Sequence, residues 1–192
     1  MKFLKIIFTL FIVFTLSSCT SLTQMREVED AVLVSALGFD KSGELIKMSA
    51  EIAFKSEEKT VLSSTGKKIE DCIEKIEKNI PEKLIFSHCG AVVLGQSLTH
   101  NTTISILDFL YVKEDFPLNC YVVSADDAQK ILKCEMPNKE PIGYCLSELL
   151  SEKGEDTDSR IFALYREKEK LLPCFTSNEN TLKRETEKWK IN

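Results

Sequence analysis

The sequence predicts an α/β (α+β) fold, a mixed β-sheet covered by helices in a single domain. The run Ala31–Phe39 is short and almost continuously apolar, which is typical of a strand buried on both faces. Residues 46–54 alternate between apolar and polar side chains, as in a half-buried strand. Between residues 66 and 80, apolar side chains recur at helical spacing along one stripe. Because strands and helices then alternate along the chain, we expect the helices to cover the sheet.

The first two strands are expected to form a hairpin. The residues Asp40–Gly43 have the composition of a turn between them. In the second strand, Lys47, Ser49 and Glu51 are expected to point away from the apolar face. Residues 55–64 are charged and rich in Ser and Thr, which indicates a loop.

Elements of both kinds follow in the middle of the chain. A helix is predicted from about Gly66 to Asn79, and Pro81 ends it. Asp126 is expected to cap a short helix that carries Ala128 and Ile131. The other elements expected here are a strand centred on Ala91–Leu94, a helix over Thr99–Tyr111 and a strand over Leu118–Ser124.

The last part of the chain is predicted to contain two helical segments and one strand. After Pro141 comes a helix with an apolar stripe, then a solvated linker over residues 153–158 and an amphipathic segment around Leu164. Residues 171–175 are a candidate strand, which Pro173 should confine to a sheet edge. Residues 176–192 are charged and lack an apolar stripe, which indicates a tail.

Residues 1–18 have the features of an export signal. Two lysines precede an apolar run, Ile6–Leu16, which is shorter than the roughly 20 residues that span a bilayer. The run ends in Leu16, Ser17, Ser18 and Cys19, which resembles the bacterial lipobox, where two small residues precede a cysteine whose thiol accepts lipid. The alternatives are a secretory signal with a chance cysteine and a single transmembrane anchor.

This reading divides the chain into four parts. Residues 1–18 form a lipoprotein signal peptide, 19–30 a lipidated linker, 31–175 the folded domain and 176–192 the charged tail. The lipid on Cys19 would make a membrane the first partner of the protein, because two or three acyl chains give long-lived attachment.

Charge and cysteine content narrow the functional classes. The chain has a formal charge of −5 and the leader holds two lysines and no acid, so the charge without it is −7. No basic patch is evident, which argues against nucleic acid as a partner.

Six cysteines follow Cys19, and they allow either three disulfides or free buried thiols. We favour free thiols because Cys72 and Cys145 fall on apolar helix stripes.

The sequence contains no familiar catalytic or cofactor motif. There is no phosphate-binding Gly-rich loop, no Gly-x-Ser-x-Gly, no His-Glu-x-x-His and no Cys-x-x-Cys. His88 and Cys89 are adjacent, but a metal or catalytic site needs further groups, so a structural role is favoured. Asp126 and Asp127 are explained by helix capping. We therefore expect no cofactor, no metal and no enzymatic activity.

Several stretches, in order, resemble the Ger(x)C family, the lipoprotein C subunit of the GerA-type spore germination receptors. They are Arg26–Asp30 leading into Ala31–Asp40, Phe86-Ser87-His88 before Ala91–Gly95, Ile106–Leu110, Pro117–Val123 and Pro141–Leu150. The resemblance covers most of residues 16–175 and corresponds to the N-terminal domain of the family. It departs from the family pattern after the lipidated cysteine, where Thr20-Ser21 replaces the usual Trp-Asp, and in the missing further domains.

The resemblance implies a subunit of a nutrient germinant receptor. Its integral membrane A and B subunits would be the partners, and its place would be the outer face of the cell or spore inner membrane. The role would be non-catalytic assembly or signalling. Two other interpretations remain open: a generic cell-envelope lipoprotein that binds a solute or acts as a hydrolase, and a truncated, non-functional paralogue.

Overall fold

A computed structural model of the chain describes residues 31–53, 60–136, 138–152, 159–166, 170–178 and 181–191. The predicted signal peptide, the lipobox residues Leu16, Ser17, Ser18 and Cys19, and the linkers over 19–30 and 153–158 lie outside these ranges.

The described residues form eight strands and five helices. In chain order they are β1 (Ala31–Ser42), β2 (Leu45–Ile52), β3 (Thr60–Gly66), α1 (Ile69–Glu77), β4 (Lys83–Ile85), β5 (Ala91–Gly95), α2 (His100–Val112), β6 (Tyr121–Ala125), α3 (Ala128–Lys133), α4 (Ile142–Glu152), α5 (Ile161–Arg166), β7 (Lys170–Asn178) and β8 (Thr181–Ile191).

All the strands belong to one mixed sheet, which confirms the predicted fold class. The strand order is β3-β2-β1-β5-β6-β7-β8, and β4 pairs with the start of β1. Strands β1, β5, β6 and β7 run parallel, and the β1–β2 hairpin is present as predicted. The antiparallel strands β2 and β3 extend one side of the parallel core, while β8 extends the other.

Helices cover both faces of the sheet. In β5, Val92 and Leu94 join the core beneath α1, α2 and α5, whereas Ala91 and Val93 join the core beneath α3 and α4. Both faces are therefore apolar, which explains why β1 and β5 are nearly continuous apolar runs. Among the described helices, none has the length and apolar composition needed to cross a bilayer.

The prediction of a loop over residues 55–64 is wrong from Thr60 onward, and residues 55–59 lie outside the described ranges. Residues from Thr60 onward form β3, which pairs along β2 from Ile52–Thr60 to Ile46–Gly66. The Ser and Thr side chains suit an edge strand, and pairing with β2 overrides their preference for turns. Gly66 therefore closes a strand, and α1 begins three residues later than predicted, at Ile69.

The prediction that residues 176–192 form a charged tail is also wrong. Residues 181–191 form β8, which pairs antiparallel with β7. The prediction that Pro173 confines its strand to an edge fails as well, since β7 pairs with both β6 and β8. Pro173 lies at a register shift in the β7–β8 pairing, where a residue without an N–H is tolerated.

Candidate functional site

The hairpin β1–β2 carries two buried carboxylates, each of which holds the start of a helix. Asp40 is 8% exposed and accepts hydrogen bonds from the N–H groups of Ala128 (3.0 Å) and Gln129 (3.1 Å). These are unpaired donors of the first turn of α3, so the carboxylate stabilises that turn. The turn predicted at Asp40–Gly43 therefore starts later, because β1 continues to Ser42.

The prediction that Asp126 caps this helix is wrong, because the N-cap of α3 is Asp127. The Asp127 side chain accepts a hydrogen bond of 2.9 Å from the N–H of Lys130, three residues on. The first turn of α3 thus receives one carboxylate from its own cap and another from β1. Capping thus explains Asp127 but not Asp126, which lines the pocket described below.

The environment of Asp40 favours its protonated form. Burial raises the pKa of Asp40 above its ordinary value of 3.8, and the nearby Asp127 carboxylate acts in the same direction. The hydrogen bonds from Ala128 and Gln129 and the charge of Lys47 lower the pKa but only partly offset the burial.

We expect this shift to appear in the pH dependence of stability. With the folded-state pKa raised, the native protein binds more protons than the unfolded chain, so the contribution of Asp40 falls as pH rises from 3.8 through the folded-state value. Urea unfolding of the wild type and of Asp40→Asn at a series of pH values measures this contribution as the difference between their free energies of unfolding. If that difference in free energy stays constant across the acidic range, the prediction is contradicted.

Glu51 forms the second and more deeply buried cap, with 1% of its surface exposed. Its Oε1 accepts from the N–H of Ile142 at 2.9 Å, and its Oε2 accepts from the N–H of Gly143 at 3.1 Å. The hydroxyl of Ser35 also donates to Oε2, at 2.7 Å. The prediction that Glu51 and Ser49 lie on an outward polar face of β2 is wrong, because both are buried.

Close backbone packing brings α4 to Glu51. A Cβ on Gly143 would overlap the carbonyl oxygen of Ser35 in β1, and a Cβ on Gly90 would overlap the carbonyl oxygen of Gly143. The helix start therefore lies directly on the β1 and β5 backbones. Both oxygens of the Glu51 carboxylate accept hydrogen bonds from the start of α4, so this carboxylate joins the hairpin to the helix.

The six described cysteines are free thiols and all are buried. Cys89 and Cys120 precede the neighbouring strands β5 and β6, and their sulfurs are 3.9 Å apart. Burial raises the pKa of Cys120 well above 9.0, and the adjacent Cys89 thiol adds to this effect. A high pKa leaves little thiolate at Cys120, so this position lacks the properties of a reactive nucleophile.

We expect the folded Cys19→Ala chain to react with a thiol reagent only on unfolding. Burial and the raised pKa of Cys120 both suppress attack. Titration should give almost no fast-reacting thiol in buffer and six after denaturation without reductant. Fewer than six in denaturant would reveal disulfides, and fast labelling in buffer would show that the thiols are accessible.

His88 lies in an exposed turn before β5, and its Nδ1 is 3.0 Å from the hydroxyl of Ser87. This contact is local and brings no further ligand or nucleophile to the imidazole. Within the described ranges, no group of three or more His, Cys, Asp or Glu side chains is arranged to hold a metal ion.

A polar pocket of about 490 Å³ lies at the carboxyl end of the parallel strands. Gln96 and Asp126 follow β5 and β6, and Glu185 reaches the pocket from β8, where it accepts a 2.8 Å hydrogen bond from Thr176. The other lining residues are Cys174, Thr186, Lys188 and Trp189. Clefts at this edge of α/β sheets commonly bind ligands, and this volume suits a small molecule. The sequence did not reveal the pocket, because most of its lining lies in the predicted tail.

Comparison with family models supplies the deciding observation. Residues 24–169 match the spore germination protein N-terminal domain. The chain belongs to this family. No curated protein and no solved structure gives a significant match.

Membership of the spore germination family places the role of the chain in spore germination, and the resemblance drawn from its motifs is thereby confirmed. The matched region contains both carboxylate caps and Gly143. It ends before β7 and β8, so of the pocket only Gln96 and Asp126 belong to the family domain.

Proposed function

We propose that this chain is a membrane-anchored lipoprotein subunit of a nutrient germinant receptor, with a non-catalytic role in assembly or signalling. The family match carries the proposal. The lipobox Leu16, Ser17, Ser18 and Cys19 supports attachment to the outer face of the cell or spore inner membrane. Integral membrane A and B subunits are the proposed partners.

The chemistry of the domain is consistent with a binding role. Its buried carboxylates, Asp40 and Glu51, cap helices, and burial raises the pKa of the Cys72 and Cys120 thiols, which leaves little reactive thiolate at either position. Confinement to a membrane by lipid raises the effective concentration of the domain near membrane partners. Such a subunit acts by contact, and it needs a stable surface more than a reactive group.

The anchor is tested by replacing Cys19 with alanine. We expect Cys19→Ala to abolish incorporation of labelled palmitate and to move the protein out of the membrane fraction. Ser18→Ala is the matched control, because it keeps a small residue before the cysteine and should leave lipidation intact. A Cys19→Ala protein that remains membrane-bound, or a wild-type Cys19 without lipid by mass spectrometry, contradicts the anchor.

The receptor role is tested in spores. The protein should co-purify with the A and B subunits from spore membranes, and its deletion should slow germination with nutrients. Normal germination after deletion, together with no association, contradicts the role and favours a non-functional paralogue.

The pocket favours one second candidate, a solute-binding lipoprotein of the cell envelope. Trp189 lines the pocket and is the single tryptophan, so its fluorescence reports on binding directly. Titration with amino acids and sugars, alongside thermal shifts, tests this candidate. A saturable change that Asp126→Ala removes would support it, and the absence of any response would count against it.

A further inference from the structure

An exposed apolar patch lies where α2, α5 and the approach to β6 meet. The patch consists of Tyr111, Val112, Leu118, Phe162 and Tyr165. Val112 is 75% exposed, Tyr165 52%, Phe162 40% and Leu118 37%. The rings of Tyr111 and Tyr165 are stacked with centroids 3.8 Å apart, and the N–H of Phe162 donates to the carbonyl of Leu118 at 3.0 Å. These contacts join α2 to α5 and α5 to the segment before β6, so the exposed side chains lie on adjoining elements.

The strand register places this patch at the amino-terminal edge of the parallel strands. Ala36 in β1 is level with Ala91 in β5, which is level with Tyr121 at the start of β6. Leu118 precedes Tyr121 by three residues, and α2 runs back from the opposite edge to end at Val112. Ala31 precedes Ala36 by five residues, so the described chain starts at the same edge.

The chain preceding Ala31 connects this edge to Cys19. Eleven residues, 20–30, lie between Cys19 and Ala31. Such a segment spans at most about 40 Å when fully extended. A lipid on Cys19 would therefore hold the edge that bears Ala31 within about 40 Å of the bilayer surface, which lets the patch on that edge reach the headgroups.

We propose that the patch contacts the headgroup layer of the membrane and sets the orientation of the domain. This inference rests on the proposed lipidation of Cys19. Tyrosine suits the boundary layer, because its ring is apolar while its hydroxyl remains hydrated. Five side chains are far fewer than the roughly 20–30 residues a side in a stable protein interface, so a second copy of the chain is a poorer occupant.

The contact needs little affinity of its own. Lipid on Cys19 already confines the domain, so the patch only has to favour one orientation over the others. Exposed charges of both signs flank the patch, with Arg166 after Tyr165 and Glu114 two residues after Val112, so the apolar side chains rather than net charge favour the contact.

The two ends of α2 provide a matched pair of probes. The lipidated full-length protein would carry Trp189→Phe, and then either Val112→Trp within the patch or Asn101→Trp at the opposite end of the helix. Both sites are exposed, and they lie about 17 Å apart along the helix axis. Each protein is reconstituted in vesicles of phosphatidylcholine with a minority of phosphatidylglycerol, with and without bromine near the top of the acyl chains.

Val112→Trp emission is expected to shift to the blue and to be quenched by the brominated lipid, while Asn101→Trp emission changes in neither respect. Phe162→Trp should behave like Val112→Trp. Equal emission from both ends of α2 in protein that floats with the vesicles overturns the inference and leaves the anchor standing. A blue shift without bromine quenching that grows with protein density assigns the patch to a second copy, and also overturns it. Failure to float contradicts the lipid anchor, and the inference falls with it.

Discussion

Replacing Gly143 with alanine is expected to lower the free energy of unfolding by about 3 kcal/mol, which is severe for the addition of one methyl group. The new Cβ would overlap the carbonyl oxygen of Ser35. That carbonyl cannot turn aside easily, because it accepts a 2.8 Å hydrogen bond from the N–H of Gly90. The Cβ is fixed to the helix backbone and the oxygen belongs to the strand backbone, so no side-chain rotation relieves the overlap.

The measurement is urea unfolding followed by circular dichroism. Ser147→Ala, one turn later in α4, is the matched control, since its Cβ is already accommodated beside Gly90. It should cost less than about 1 kcal/mol. Equal stability of Gly143→Ala and Ser147→Ala would show that α4 does not sit on β1 as described. If Gly143→Ala does not accumulate in cells, Gly143→Ser should fail in the same way.

Replacing Glu51 with alanine is expected to cost about 3 kcal/mol or more, again a large share of a typical domain's 5–15 kcal/mol. The substitution leaves the N–H groups of Ile142 and Gly143 buried without this acceptor, while the hydroxyl of Ser35 keeps the backbone carbonyl of residue 51 as a partner at 3.2 Å. Each such buried group costs about 1–3 kcal/mol. The carboxylate also counters the positive end of α4.

Two variants make this result specific. Glu51→Gln keeps one carbonyl oxygen as an acceptor, so its cost should lie between those of wild type and Glu51→Ala. Glu44→Ala removes an exposed glutamate from the same hairpin and should change stability by less than about 0.5 kcal/mol. Should Glu51→Ala match Glu44→Ala in denaturant midpoint, Glu51 lies on the outward face that its alternation in β2 predicts.

Local patterns predicted the elements whose side chains meet a core. The apolar run of β1, the alternation in β2 and the stripes of α1 and α4 each carry a period that one buried face imposes. Strands β3 and β8 lacked such a pattern, because they lie at the two edges of the sheet and most of their described side chains are partly buried or exposed. Their pairing partners, β2 and β7, determine that they are strands.

The functional residues also differ in whether a local sequence pattern predicts them. The predicted lipobox and the family motifs are short and contiguous, so both could be proposed from the sequence, and the match over residues 24–169 confirms the family. The pocket is lined by Gln96, Asp126 and residues of the β7–β8 hairpin. Because these residues are far apart in the sequence and meet only after folding, no local sequence pattern predicts the pocket.

The sequence by itself determined the mixed α/β class and membership of the spore germination family. It also predicts an export signal and a lipobox. Only the tertiary structure decided which polar residues are buried. Glu51 and Ile142 are 91 residues apart in the chain, and Asp40 and Ala128 are 88 residues apart. Each pair meets because a helix packs across the hairpin. The physical reason is that a helix start has unpaired N–H groups wherever it lands, and only the packed fold shows which carboxylate will satisfy them.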